Sequence, residues 1–212
     1  MITRDRQPSV LTWLICATIA GFILQNIFWK WLGARTGQSF DHLLALTIPG
    51  IKTGFIWTLL TYSLLHSMTS FLHVVFNLLW IFLLGRELLP LLGAKRFLWL
   101  YCGGVVLGGL TWLATNWVHS GALIGASAGV YALLMVFAAI TPNRPITFLL
   151  FFGIPVTIKL KWLVIVLGGI DLLGSLFTEI PGHSGLGGVA HSAHLGGLGA
   201  GWLFFRYVHH RE

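Results

Sequence analysis

Apolar residues run along this chain in long stretches, and polar residues are confined to the intervals between them. Six stretches approach the roughly 20 residues that a helix needs to cross the hydrocarbon core of a bilayer. They are residues 9–29, 71–89, 97–117, 121–140, 162–178 and 189–208. A peptide group in lipid has no water to bond, so each stretch is predicted to be helical. The interval from Lys30 to Ser70 is longer, and mixes aromatic, Gly and Pro residues with apolar pieces such as Phe55-Ile-Trp-Thr-Leu-Leu. That pattern predicts a segment lying in the headgroup region. Ile146 to Ile154 is apolar but too short to span, and is also expected at the interface.

Composition narrows the class. Of 212 residues, 56% are hydrophobic and 9% charged, whereas soluble domains carry about 25% charged residues. A water-soluble domain is excluded, and the chain is predicted to be one all-α membrane domain over 1–212. Val10 to Phe28 runs on without the small-residue cleavage site of a signal peptide, so it is expected to remain as the first span. Cys16 and Cys102 both lie inside apolar stretches, where they act as small hydrophobes rather than as a disulfide framework or a metal set. The tryptophans, partly gathered near span ends, are expected to be interface anchors.

The net charge of +7 matters through its placement. Arg4 and Arg6, then Arg86, Lys95 and Arg96, then Arg144, Lys159 and Lys161, and finally Arg206 and Arg211 all fall on one side of the predicted bundle. The long first loop holds Lys30, Arg35 and Lys52, and the third and fifth loops hold none. Both termini are therefore expected in the cytoplasm, with a bacterial cytoplasmic membrane as the expected location.

One hydroxyl stands out in the small-residue run Gly121-Ala-Leu-Ile-Gly-Ala-Ser-Ala-Gly129. A helix starting near Gly121 carries Ser127 about 10 Å below the outer surface, and one starting near Val189 carries His194 to about 8 Å, at 1.5 Å per residue. A serine hydroxyl becomes a nucleophile only when a base takes its proton, and histidine is the usual base. Acyl transfer also needs donors for the oxyanion. His73-Val-Val-Phe-Asn77 supplies an imidazole and an amide on one helical face, and the Ser127 amide a third donor. Tyr131, one turn after Ser127, is placed to pack against the imidazole. Gly125 and Gly129 on one helix and Gly197 and Gly201 on the other are small enough for close helix packing.

Other polar residues compete for roles. Small-residue packing alone explains Gly-Ala-Ser-Ala-Gly if the serine is taken by itself. His191 rivals His194 as the base, but sits nearer the interface and is expected to be a solvated or capping histidine. A zinc site from this pair lacks a third ligand and a general-base carboxylate. Asp171 is expected nearer mid-membrane in a structural hydrogen bond, although it is chemically suited to orient His194. His66 is expected either at a water-filled entrance or among headgroups. The loop Glu179-Ile-Pro-Gly-His-Ser-Gly-Leu-Gly-Gly188 suits a mobile cap or an ordinary connector.

Taken together, His73-x-x-x-Asn77, Gly125-Ala-Ser127 with Tyr131, and His194-x-x-Gly197-x-x-x-Gly201 resemble the rhomboid family of intramembrane serine proteases. The resemblance covers most of the chain. It implies a six-transmembrane-helix rhomboid-like bundle with a long interfacial first loop. It implies Ser127 as nucleophile, His194 as base and His73 with Asn77 at the oxyanion. It also implies cleavage of transmembrane protein substrates near the outer leaflet, with no cofactor or metal and no nucleic-acid partner. Two departures are visible. Ala128 follows the serine where the family commonly has glycine, and the family's Trp-Arg pair in the first loop is not evident. The alternatives are a proteolytically inactive rhomboid-like protein that binds membrane clients, or a small transporter, which the lack of inverted repeats disfavours.

Overall fold

Backbone satisfaction in apolar surroundings requires helices, and helices dominate the computed structural model, which describes residues 9–28, 30, 41–150, 153–182 and 188–209. The first is α1 (Val10–Phe28). Three short helices follow, α2 (Asp41–Leu44), α3 (Ile48–Lys52) and α4 (Thr58–Thr61), with a 3₁₀ turn at Tyr62–Leu64. Then come α5 (Phe71–Asn116) and α6 (Ser127–Ile140). An antiparallel hairpin, β1 (Pro145–Leu150) and β2 (Ile154–Lys159), leads to α7 (Leu160–Gly174), which a π-helical turn prolongs over Ser175–Glu179. Last is α8 (His191–Phe204), with a π-helical turn at Phe205–His209. Among the described residues, α1, α5 and α7 with its π turn are long and apolar enough to cross a membrane.

The stretches 71–89 and 97–117 fall within α5, which breaks at Gly93 (φ 74°, ψ 163°), three residues after Pro90. The arms on either side must fold back on each other. His73 on the first arm lies against Gly125, while Gly108 on the second lies against Ala128. A straight helix would hold His73 and Gly108 about 50 Å apart, yet their partners are three residues apart. The left-handed φ at Gly93 is one that a Cβ disfavours, which is why a glycine stands at the break.

Two sequence expectations are corrected. The fourth helix starts at Ser127, not near Gly121, because Leu123 and Gly125 are tied to distant parts of the chain outside any helix. Leu46 and Leu123 exchange backbone hydrogen bonds of 3.1 and 2.8 Å, and the Gly125 amide donates to the Tyr62 carbonyl at 3.0 Å. Tyr62 is itself anchored, its hydroxyl donating to the Val105 carbonyl at 2.7 Å. The second correction concerns Ile146 to Ile154 and the all-α expectation, since this segment belongs to a hairpin. Ile146, Thr147 and Phe148 pair with Ile158, Thr157 and Val156, all residues that fit a pleated surface. The Thr147 and Thr157 hydroxyls bond across the strands at 2.8 Å. Pro155 would break a helix through this segment but is tolerated in a two-stranded ribbon with open edges.

Packing is densest where α5, α6 and α8 meet, and small residues make that contact possible. A Cβ on Gly201 would lie 2.5 Å from the Ala132 carbonyl oxygen, one on Gly129 2.5 Å from the Tyr101 ring, and one on Gly197 would run into the Ala128 carbonyl. Gly125 does not share this role. It stands in the loop before α6 with φ 117°, and its open side faces the His73 ring rather than a helix. Large apolar side chains such as Trp99, Ile165 and Phe177 cover the outside, as expected where the surroundings are lipid rather than water.

Candidate active site

Ser127 opens α6, so its amide and the next two belong to the first turn of a helix, whose N–H groups have no carbonyl one turn back to bond. These donors and the helix dipole make the first turn of α6 a natural place for negative charge. The Ser127 Oγ lies 2.9 Å from His194 Nε2 on α8. The His194 ring stacks on the Tyr131 ring, with centroids 4.2 Å apart and planes 14° from parallel. Its other nitrogen, Nδ1, lies 2.9 Å from Asp171 Oδ1 on α7. His191 Nδ1 meets the same oxygen at 2.8 Å.

These contacts fix the proton on His194. An ionised carboxylate only accepts, so Nδ1–H donates to Asp171 and Nε2 is left bare to accept the Ser127 hydroxyl. His73 is fixed the other way. The Ser67 backbone amide donates to its Nδ1 at 3.2 Å, so in the neutral ring Nε2 carries the hydrogen and acts as a donor. That edge of the ring faces the loop just before Ser127, and a Cβ on Gly125 would lie 3.0 Å from Nε2. Asn77 is buried, with one amide hydrogen donated to the His73 carbonyl at 2.8 Å.

Two cavities meet at this point. One, of about 700 Å³, is lined by the polar side chains of Ser67, Thr69, Ser70 and His194 together with Ala190 and Ile124. The other, of about 430 Å³, is an apolar cleft between the first arm of α5, α6 and α7, lined by Trp80, Val130, Leu163 and Leu167. Ser127 and His73 line both.

Several expectations are revised. His191 is not a solvated or capping histidine but bonds a buried carboxylate, and Gly174 makes room for its ring. Asp171 is 2% exposed and bonds to a neighbouring helix as expected, its partners being both histidines of α8. His66 is neither at an entrance nor among headgroups. It is fully buried against His73, with ring centroids 5.2 Å apart, and burial, helped by His73, pushes its imidazole down to about 4. The Ala128 methyl packs where Gly108 leaves space. Most of the glycine-rich loop after Glu179 lies outside the described residues, as do Arg4, Arg6, Arg35 and Arg211.

In the sequence Glu179 marks only the start of that loop. Its carboxylate accepts from the Ser192 amide and hydroxyl and from Asn116 Nδ2, each at 2.7 Å. It thus ties the C-terminal ends of α5 and of the turn that prolongs α7 to the first turn of α8. The available signal was an acid shortly before a helix N-terminus, where negative charge is favoured.

The family model described as the Rhomboid domain matches residues 53–211. The chain is 37% identical over 94 residues to the putative rhomboid protease YdcA of Bacillus subtilis, covering 42% of this chain and 46% of that protein. It is 35% identical over 106 residues to the rhomboid protease GlpG of Haemophilus influenzae, covering 49% of this chain and 53% of that one. The matched region thus spans about half the length of each of these curated relatives. The family match takes in well over half of the chain and includes Ser127, His194, His73 and Asn77. This integral membrane protein belongs to the Rhomboid family.

Proposed function

We propose that the protein is an intramembrane serine endopeptidase that cleaves transmembrane protein substrates with a Ser127–His194 dyad. The observation that carries this reading is the 2.9 Å contact between the Ser127 hydroxyl and the bare Nε2 of His194, at the junction of a polar and an apolar cavity. Ser127 Oγ attacks the scissile carbonyl as His194 Nε2 takes its proton. The oxyanion is met by the Ser127 amide and by His73 Nε2–H, with the second amide hydrogen of Asn77 as a further donor. His194 then hands its proton to the leaving amine, and an acyl-enzyme forms on Ser127. Water from the polar cavity attacks the ester with His194 again as base. The apolar cleft suits the substrate's membrane segment. Small or helix-breaking residues near the scissile bond favour cleavage, because a peptide bond held in helix hydrogen bonds must first unwind.

In this reading the chain is a single rhomboid-like domain of six spans with a long interfacial first loop. It sits in a bacterial cytoplasmic membrane with both termini in the cytoplasm, an orientation supported by the placement of the lysines and arginines. The intact dyad geometry favours a protease over an inactive client-binding relative. The test is cleavage of a fluorogenic single-span substrate in liposomes, with labelling by a fluorophosphonate probe. Wild type is expected to cleave and label, and Ser127→Ala to do neither. Absence of both activities in wild type across a panel of substrates would overturn the reading.

A further inference from the structure

Resting on the dyad reading, we propose that Asp171 is a positioning residue that orients His194 and makes the site a working Ser–His–Asp triad built from three membrane helices. Asp171 Oδ1 stands 2.9 Å from His194 Nδ1 while His194 Nε2 stands 2.9 Å from Ser127 Oγ. The three groups lie in one line of hydrogen bonds from α7 through α8 to α6. The carboxylate does two things that the Tyr131 ring cannot. Stacking restrains the tilt of the imidazole but leaves it free to turn in its own plane. The bond at Nδ1 removes that freedom, and it selects the tautomer in which Nε2 is bare. During attack the serine proton moves to Nε2, Nδ1 keeps its own proton, and Asp171 remains ionised opposite the imidazolium.

A purely structural tie between α7 and α8 explains the position less well. Such a tie already exists at the outer end of α7, where Glu179 holds Ser192. His191 alone would also satisfy Asp171 Oδ1, at 2.8 Å. A carboxylate this buried within a membrane helix is expensive to keep and marks function. The local sequence accommodates it, since Gly174 leaves the space that the His191 ring fills and Gly168 lets Leu198 of α8 approach α7. His191 is the second donor to the same oxygen, and keeps Asp171 aimed at α8 while His194 exchanges protons.

The experiment uses the full chain in liposomes, comparing wild type, Asp171→Asn, Asp171→Ala, His191→Gln, His194→Ala and Ser127→Ala by kcat and KM on a fluorogenic single-span substrate. Asp171→Asn is expected to lower kcat by roughly 100- to 10,000-fold with KM within about 3-fold, because an amide can donate to Nδ1 and so hold the wrong tautomer. Asp171→Ala should lose no more than Asp171→Asn, and His191→Gln less than about 10-fold on the same scale. Ser127→Ala and His194→Ala set the floor. If they abolish turnover while Asp171→Asn keeps kcat within about 3-fold of wild type, the positioning role is overturned and the dyad stands. If wild type neither turns over nor labels with a fluorophosphonate, the dyad reading falls and the triad with it. Should the Asp171 variants not fold, nitrogen-15 histidine NMR of wild type, assigned with His194→Gln, still decides. A proton on His194 Nδ1 supports the proposal, and one on Nε2 in the neutral ring overturns it.

Discussion

Two imidazoles stand at the cavity that holds Ser127, and they differ in what grips the far side of each ring. His73, near the start of α5, receives the Ser67 amide at Nδ1 and presents a hydrogen at Nε2. His194, on α8, gives its Nδ1 hydrogen to Asp171 and presents a lone pair to Ser127. One side chain type therefore presents a hydrogen on one helix and a lone pair on another, set in each case by a single neighbour. The difference teaches that a histidine's role is legible from its second nitrogen before any substrate is present.

Replacing the two rings in turn breaks the comparison most directly. His194→Ala removes the proposed base and is expected to lower kcat by about 10,000-fold or more. His73→Ala removes one proposed oxyanion donor and is expected to cost about 100- to 1,000-fold. Equal losses in steady-state cleavage kinetics would mean that the two rings are not doing different jobs.

Gly125→Ala sharpens it on the donor side. The added Cβ would sit 3.0 Å from His73 Nε2 at a residue whose φ of 117° disfavours any side chain. Displacing the ring by a fraction of an ångström is expected to reduce kcat on the order of 100-fold. Stability should fall by about 1–3 kcal/mol, measured by denaturant or thermal unfolding.

Gly108→Ala probes the packing behind His194. Its methyl would lie 2.5 Å from the Ala128 Cβ and 2.8 Å from the Ala193 carbonyl oxygen, at an expected cost of about 1–3 kcal/mol. Adding Ala128→Gly should restore part of that loss, because the methyl has only changed helices, while the Ala193 carbonyl still resists. Strictly additive unfolding energies for the pair would contradict this account.

The smallest effect concerns His66, the buried neighbour of His73. Its folded value of about 4 lies below its ordinary 6.5, so its neutral form stabilises the fold above 6.5 and that contribution is lost as pH falls towards 4. Between neutral pH and about 5.5 the loss amounts to about 1 kcal/mol. His66→Leu should flatten this part of the stability curve, and an unchanged slope would show that other groups govern it.

What the sequence by itself determined is the class of the molecule and its chemical vocabulary. Long apolar runs admit only helices in lipid, and the i, i+4 spacing of His73 and Asn77 puts both on one face wherever that helix goes. The glycines of α8 were readable for the same reason, since the space beside a missing side chain is local. Tertiary structure decided the rest. Asp171 and His194 lie 23 residues apart on different helices, and nothing in their local spacing says that a carboxylate on α7 will meet an imidazole on α8. Ser127 became the first residue of its helix because Leu46 and Tyr62, far back in the chain, hold Leu123 and Gly125 just before it out of the helix. The hairpin at Pro145–Leu150 and Ile154–Lys159 escaped because a short apolar run reads alike as strand or interfacial segment. Burial, partner and tautomer are properties of contacts between distant segments, and so the surroundings of His66, His73, His191 and His194 were set by packing rather than by their places in the chain.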